Sequence, residues 1–321
     1  MNFSSIVLYK NDLKTGRMEG ECRDDVYELE NKSGYGEIRI YKILPGIEVV
    51  YNDMHMEYYD CTDKKMTGIL EINHCRTGRY ECEFRDGKCI YIAAGDLGIS
   101  RLLKTKISSS FPLGQYYGIS IYLDKREMME AGHDFYPSFS VNLEKLWRRF
   151  ESQKDNYLIR GSKEIEHIFL QLYETGEPIR SGYLKIRILE LLLFLSEYDW
   201  EEDMVENRYF NSAMVKTVKS IKEFICENLN EHYTLNQLSE LFHVPLTPMK
   251  ECFKGVYGVP VYTYLKKYRL QAAMEMLKTD TCSIDEISER IGYGSPSKFR
   301  VAFKEEIGIT PTEFRKASKW A

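Results

Sequence analysis

No run of apolar residues in this 321-residue chain approaches the roughly 20 that a membrane span needs. The longest, Ile188–Leu195, is interrupted by Glu190 and reads as part of a buried helix. Residues 1–10 lack a basic stretch leading into an apolar core, so no secretory signal is expected. The expected setting is the cytoplasm, with no membrane partner. Eight cysteines are present without a single Cys-x-x-Cys pair, which points to reduced, mostly buried thiols. Histidine is scarce, with six in all. The nearest approach to a ligand set is His55 and Glu57, then His74 and Cys75 with Cys82 and Cys89. Strand alternation sends His74 and Cys75 to opposite faces, so no metal site is expected. A Gly-x-Ser-x-Gly elbow, a Gly-x4-Gly-Lys-Ser/Thr loop and a Gly-x-Gly-x-x-Gly turn between strand and helix are all missing. No catalytic residue, enzyme activity or cofactor is therefore expected.

What is there is an ordinary globular composition, 43% hydrophobic and 29% charged, in a chain long enough for two domains. The net charge of −5 is unevenly divided. Residues 213–321 hold 16 Lys and Arg against 13 Asp and Glu, a balance of +3, while residues 1–212 stand at −8. A mildly basic tail on an acidic body suits a DNA-binding domain joined to a sensor. From residue 34 to about 124 short apolar or alternating runs are punctuated by turns, among them Arg85-Asp86-Gly87 and Ala94-Gly95-Asp96. That spacing predicts an antiparallel sandwich or small barrel. Lys125–Ala131, Asn142–Ser152 and Ser162–Thr175 read as helices, as does the leucine-rich stretch from Leu184 to Tyr198 beyond the Gly176-Glu177-Pro178 break. Asp199–Asn211 is acidic and polar, and reads as a linker.

Residues 213–321 contain an internal repeat offset by about 50 positions. Thr234, Leu238, Ser239, Glu240, Phe253, Lys254, Gly258 and Tyr264 find counterparts in Ser283, Ile287, Ser288, Glu289, Phe303, Lys304, Gly308 and Phe314. Each copy begins with a hydroxyl residue that caps a helix, continues through a turn, and ends in a second helix. Met249 and Phe253, like Phe299 and Phe303, stand four residues apart and face inward, leaving the other side of the second helix free. Such a helix fits the major groove. Val261–Lys278, without internal Pro or Gly, joins the copies as a rod of about 27 Å, near one turn of the duplex.

The stretch resembles the DNA-binding domain of the AraC/XylS family. The resemblance is carried by Phe253-Lys254-x3-Gly258, Tyr264-Leu265-x3-Tyr268-Arg269-Leu270, Ser283-Ile284-x2-Ile287-Ser288-x2-Ile291-Gly292-Tyr293, Phe299-x3-Phe303-Lys304-x3-Gly308 and Thr310-Pro311-x2-Phe314-Arg315. Within the family, Leu246-Thr247-x-Met249-Lys250 and Gly292-Tyr293-x-Ser295-Pro296-Ser297 are most similar to the PchR/YbtA-type group, which implies a tie to siderophores and iron uptake. Segments such as Gly68–Ile72 and Phe111–Ile119 resemble the cupin-like sensors of related regulators.

The fold class expected is thus α+β and multidomain, with a cupin-like antiparallel barrel or sandwich before an all-α tandem helix-turn-helix domain. The expected boundaries are 1–160 for the sensor, 161–212 for a helical dimerisation segment and linker, and 213–321 for the DNA-binding domain. By position in the family, Thr247, Lys250, Glu251 and Lys254 are the DNA-facing residues of the first recognition helix. Ser297, Lys298, Arg300, Val301 and Lys304 are those of the second. Lys and Arg suit guanine edges or phosphates, and Ser and Thr suit either. Glu251 departs from the basic residue usual in the family: it accepts from cytosine, repels, or turns away. Pro248 is read as the start of the first recognition helix. His74, Tyr80, Tyr91 and Tyr117 are the expected ligand-pocket residues, with ordinary packing the competing fate of the tyrosines. The implied partners are double-stranded DNA, a small-molecule effector (a siderophore or another metabolite), a second copy of the chain and, for an activator, RNA polymerase. Two other readings stay open: a ligand-independent regulator whose N-terminal body only oligomerises, and a metal-dependent cupin enzyme with a DNA-binding tail.

Overall fold

The structure, a computed structural model, describes residues 13–19, 24–59, 67–84, 86–101, 106–132, 134–151, 157–174, 180–197, 210–279 and 282–318. Two compact units divide the chain, residues 1–211 and 212–321. None of the described helices is long and apolar enough to cross a membrane.

In the first unit the short alternating runs form strands that pair antiparallel throughout. One sheet has the order β1 (Leu13–Glu19), β2 (Asp24–Asn31), β3 (Gly34–Leu44), β4 (Ile47–His55), β10 (Tyr116–Asp124), β6 (Ile69–Phe84), β8 (Leu97–Arg101) and β11 (Tyr157–Ile159). The other has the order β5 (Tyr58–Tyr59), β9 (Lys106–Ser110), β6, β7 (Lys88–Ala93) and β12 (Phe210–Asn211). The long strand β6 serves both, its first half in one sheet and its second half in the other. Gly78 stands where it passes between them, at φ +83°, and a Cβ there would lie 2.1 Å from the Gln115 carbonyl oxygen. Only glycine fits that approach. Among the described residues these pairings do not close into a ring, so of the two expected architectures the open, two-sheet one is found.

Period-two alternation gives the first sheet two apolar faces. Ile38, Val50, Tyr116 and Tyr122 meet Tyr80, Cys82, Phe84 and Ile92 of the second sheet in one core. Val49, Ile72, Ile119 and Ile121 face the other way and pack on helices α3 (Leu143–Glu151), α4 (Lys163–Glu174) and α5 (Arg180–Glu197). The shorter α1 (Lys125–Ala131) and α2 (Phe135–Ser138) close the end of β10, with Asp124 capping α1 through the Glu127 amide at 3.0 Å. This corrects the expected separate segment at 161–212. The apolar stripes of α4 and α5, including Phe169, Leu172, Ile188 and Leu195, are buried in the same core as the sheet, so these helices belong to the N-terminal unit. Most of the predicted linker, 199–209, lies outside the described residues, as does the Gly176-Glu177-Pro178 break.

The second unit is helical: α6 (Ser212–Glu227), α7 (Leu235–Leu241), α8 (Leu246–Tyr257), α9 (Val261–Thr279), α10 (Ile284–Arg290), α11 (Pro296–Ile307) and α12 (Pro311–Ser318). Buried Leu270, Ala273 and Leu277 of α9 share a core with Ile287, Ile291, Phe299 and Phe303. Buried Leu238, Met249, Cys252, Phe253 and Val256 are the corresponding residues of α7 and α8, beside Val218, Ile221 and Ile225 of α6. At roughly 1.5–3 kcal/mol for each fully buried large side chain, these cores, rather than the propensity of helices as short as seven residues, hold the motifs.

Candidate nucleic-acid interface

Both motifs are built by the same local rules. Thr234 accepts the Gln237 amide at 3.2 Å while Gln237 Oε1 accepts the Thr234 amide at 2.8 Å. Ser283 and Glu286 repeat the box at 3.1 and 2.7 Å. Each box satisfies amides that a helix start leaves unpaired, worth about 1 kcal/mol. The repeated serines also have one role: Ser239 donates to the Val244 carbonyl at 2.5 Å and Ser288 to the Tyr293 carbonyl at 3.4 Å, each tying a first helix to the turn that follows it. Where that turn needs a left-handed residue, the second motif uses Gly292 (φ +76°) and the first uses His243 (φ +52°). A glycine in such a turn is legible from sequence, whereas nothing in a lone His signals that conformation.

The recognition helices α8 and α11 present their unburied sides as anticipated in position. Thr247, Lys250, Glu251 and Lys254 are all exposed on α8, and Ser297, Lys298, Arg300, Val301 and Lys304 on α11. Spacings of three, four and seven residues put Thr247, Lys250, Glu251 and Lys254 on one face, and Ser297, Arg300, Val301 and Lys304 on the matching face. Val301 is 58% exposed, an apolar tip with the chemistry to meet a thymine methyl. Glu251 is exposed, which leaves all three of its alternatives in place. Pro248 is not the first residue of α8. That helix starts at Leu246, with Pro245 in the extended conformation before it. Arg300 is engaged: its guanidinium donates to Asp285 Oδ1 of α10 at 2.6 Å. Asp285 partnering Arg300 was not legible in the repeat, because the first motif has Asn236 at the corresponding place.

Arg269 of α9 bridges the two motifs. One of its terminal nitrogens donates to the carbonyls of Leu229 at 2.6 Å and Glu231 at 2.9 Å, in the turn before α7. A Cβ on Gly292 would lie 2.1 Å from the Leu229 oxygen and 2.7 Å from that same nitrogen. The turn of the second motif is therefore seated directly on the entry to the first. Arg315 does a related service within the second motif, donating to the Cys282 carbonyl at 2.6 Å.

The expected ligand-pocket residues do not converge on one cavity. His74 and Tyr117 lie on the helix-covered face of the first sheet, both against Tyr173. His74 Nδ1 is 3.1 Å from the Tyr173 hydroxyl, its ring stacks on Phe169 at 4.1 Å, and its Nε2 is buried without a hydrogen-bond partner. Burial, with Arg76 near, pulls the His74 pKa down to about 4. Cys75 points the other way, into the core between the sheets, where burial pushes its thiol up to about 12. Tyr80 and Tyr91 line a small cavity between the sheets, but the Tyr91 hydroxyl is turned to Glu81 Oε2 at 2.6 Å.

Tyrosines were the pocket-lining residue type expected from the sequence, but the polar partners that face the inter-sheet space with them, Glu71, Asn73, Ser100, Asn52 and Ser120, were not singled out. Tyr122 donates to Glu71 Oε1 at 3.0 Å, Ser100 to Glu71 Oε2 at 3.1 Å, Tyr116 to Asn73 Oδ1 at 2.8 Å, and Asn52 to Ser120 at 3.1 Å. Their signal was present as polar residues at every second place in Ile69-Leu70-Glu71-Ile72-Asn73. The cavity beside them has room for about 20 Å³, on the order of one water.

Residues 238–317 match the helix-turn-helix domain family. The chain is 35% identical over 83 residues to the RCS-specific transcriptional activator RclR of Escherichia coli, covering 26% of this chain and 29% of the relative. It is 30% identical over 84 residues to a putative AraC-like transcription regulator of Streptomyces lividans, covering 26% and 28%. It is 27% identical over 158 residues to the virulence regulon transcriptional activator VirF of Yersinia enterocolitica, covering 48% and 55%. The chain thus spans between about a third and about half the length of these relatives.

Proposed function

We propose, from the match of residues 238–317 to the helix-turn-helix domain and the similarity to an AraC-like regulator, that this protein is a sequence-specific transcription regulator of double-stranded DNA. The observation that carries the reading is the pair of exposed faces of matching residue spacing on α8 and α11, joined by one uninterrupted helix. Thr247, Ser297 and Val301 read base edges, while Lys250, Lys254, Lys298 and Lys304 neutralise phosphates. Arg300 joins them by exchanging Asp285 for DNA. The named relatives RclR and VirF are activators, which supports activation, and with it a contact to RNA polymerase, as the mode of action. Binding-site selection with the full chain is expected to return a bipartite motif. Lys250→Ala and Lys298→Ala should each lower the slope of log K against log salt by about 0.9, and leave the motif alone. Thr247→Ala or Ser297→Ala should alter the motif. Unchanged slopes and motifs in all four variants would overturn the assignment of these faces.

The N-terminal unit is read as a cupin-like sensor that controls the DNA-binding unit, with the polar row at Glu71 and Asn73 facing its effector. Dimerisation through α4 and α5 is supported by exposed Leu170, Ile186 and Leu193, apolar residues on the outer sides of those helices. One observation favours a second reading, a unit that only oligomerises. Metabolite sites usually offer about 300 Å³ or more, against about 20 Å³ in the cavity beside Glu71 and Asn73, so an effector seated on that polar row requires the two sheets to part.

A further inference from the structure

Helix α9 borders a groove that no part of the sequence reading anticipated. Between α9 and α11 lies a concavity of about 640 Å³. Tyr262, Lys266 and Arg269 form one wall, and Ser297, Lys298 and Val301 form the other. Ser297 and Val301 also belong to the reading face of α11, so the groove is continuous with the face that meets DNA. Lys266 and Lys298 are exposed on opposite walls, and neither has an ion pair or hydrogen bond. Glu305, further along α11, is the one carboxylate among the lining residues. The Arg269 guanidinium is committed to the Leu229 and Glu231 carbonyls, and the Tyr262 hydroxyl donates to the Tyr233 carbonyl at 3.3 Å. These two shape the wall; the lysines supply its free charge.

Two recognition helices set in adjacent major grooves leave the sugar-phosphate strands that border the intervening minor groove crossing between them. Each of them carries a charge about every 3.4 Å of helix axis, and the nearer one has to pass the surface that joins the helices. The geometry points to this groove as its seat, with Lys266 of the connecting helix as a phosphate contact that neither recognition helix makes. The assignment rests on the DNA-binding reading above. Its occupant is a nucleic-acid backbone, identified by the unpaired ammonium groups on both walls and by continuity with the reading face.

The test uses the full chain and a duplex taken from binding-site selection, with affinity measured by fluorescence anisotropy across a salt series. Lys266→Ala is expected to lower the log–log salt slope by about 0.9 and to leave the selected motif unchanged. Lys266→Arg should keep the wild-type slope. Lys266 is exposed, so the fold should survive, and an unchanged melting curve checks that. If Lys266→Ala keeps the wild-type slope while Lys250→Ala loses its share, the groove does not hold backbone and the proposal falls, though the DNA-binding reading stands. A changed motif for Lys266→Ala would make it a base contact and also overturn the proposal. If the wild-type chain yields no motif at all, both readings fall together.

Discussion

His74 has a cost that depends on pH. Its ring is stacked on Phe169 under α4 and held neutral, with a pKa lowered to about 4 from an ordinary 6.5, chiefly by burial. Between those values the unfolded chain binds a proton that the folded chain refuses, so stability rises with pH through the window and is lost as pH falls towards 4. A shift of that size corresponds to about 3 kcal/mol at most. His74→Gln removes the titrating group, so the wild-type stability relative to this variant should decline between pH 7 and pH 4.5. Chemical denaturation at a series of pH values measures it, and a flat difference would refute the neutral, buried state. At this scale the sequence was informative wherever a residue's role is local. The serines and threonines of the capping boxes were legible because a hydroxyl before a helix has few other uses. Asp285, Arg269 and the His74–Tyr173 pair were not, because their partners lie 15 to 99 positions away and no periodicity relates them.

Among elements, α9 matters most. Its sequence signature, an unbroken run without Pro or Gly, was enough to predict a rod, and α9 spans Val261–Thr279. What the run did not disclose was that one side of the rod fastens the two motifs together. Gly292→Ala should therefore destabilise the unit by about 1–3 kcal/mol, since φ is positive and the new methyl meets the Leu229 oxygen. Arg269→Lys is a gentler probe, losing the paired contacts to Leu229 and Glu231. It should weaken binding to a duplex with both half-sites several-fold and leave binding to a single half-site nearly unchanged. Equal losses on both duplexes would reduce Arg269 to general stability. The strands were legible as strands for the same reason as the helices, their periodicity. The faces of those strands were harder. Both sides of the first sheet are buried, so an apolar side chain gives no sign of which core it enters, and tyrosines taken for one pocket went to different faces.

For the whole molecule, the proposed sensor role of the N-terminal unit makes a thermodynamic prediction. A ligand that binds only the folded form raises stability by about 2.7 kcal/mol at a hundred times its dissociation constant. Thermal melting against a metabolite panel that includes ferric siderophores should identify an effector by a raised midpoint. If no compound in the panel shifts the midpoint, and the chain sediments as a dimer, the oligomerisation reading is the better one. Helices α4 and α5 could not be separated from the sheet on sequence alone, because a stripe such as Leu184, Ile188, Leu191 and Leu195 is equally suited to a sheet or to a second subunit.

If the two motifs read DNA as proposed, their joining by α9 also fixes a local concentration. Once one motif is bound, the other meets its half-site at a concentration set by the connector, and a stiff connector concentrates that into one distance and one angle. With α9 unbroken and the Leu229 turn seated against Gly292, almost nothing is left over for other spacings. Inserting a single base pair between the half-sites turns the second by about 34° and moves it about 3.4 Å. On the proposed function, the length of the operator is then as much a part of what is recognised as its letters.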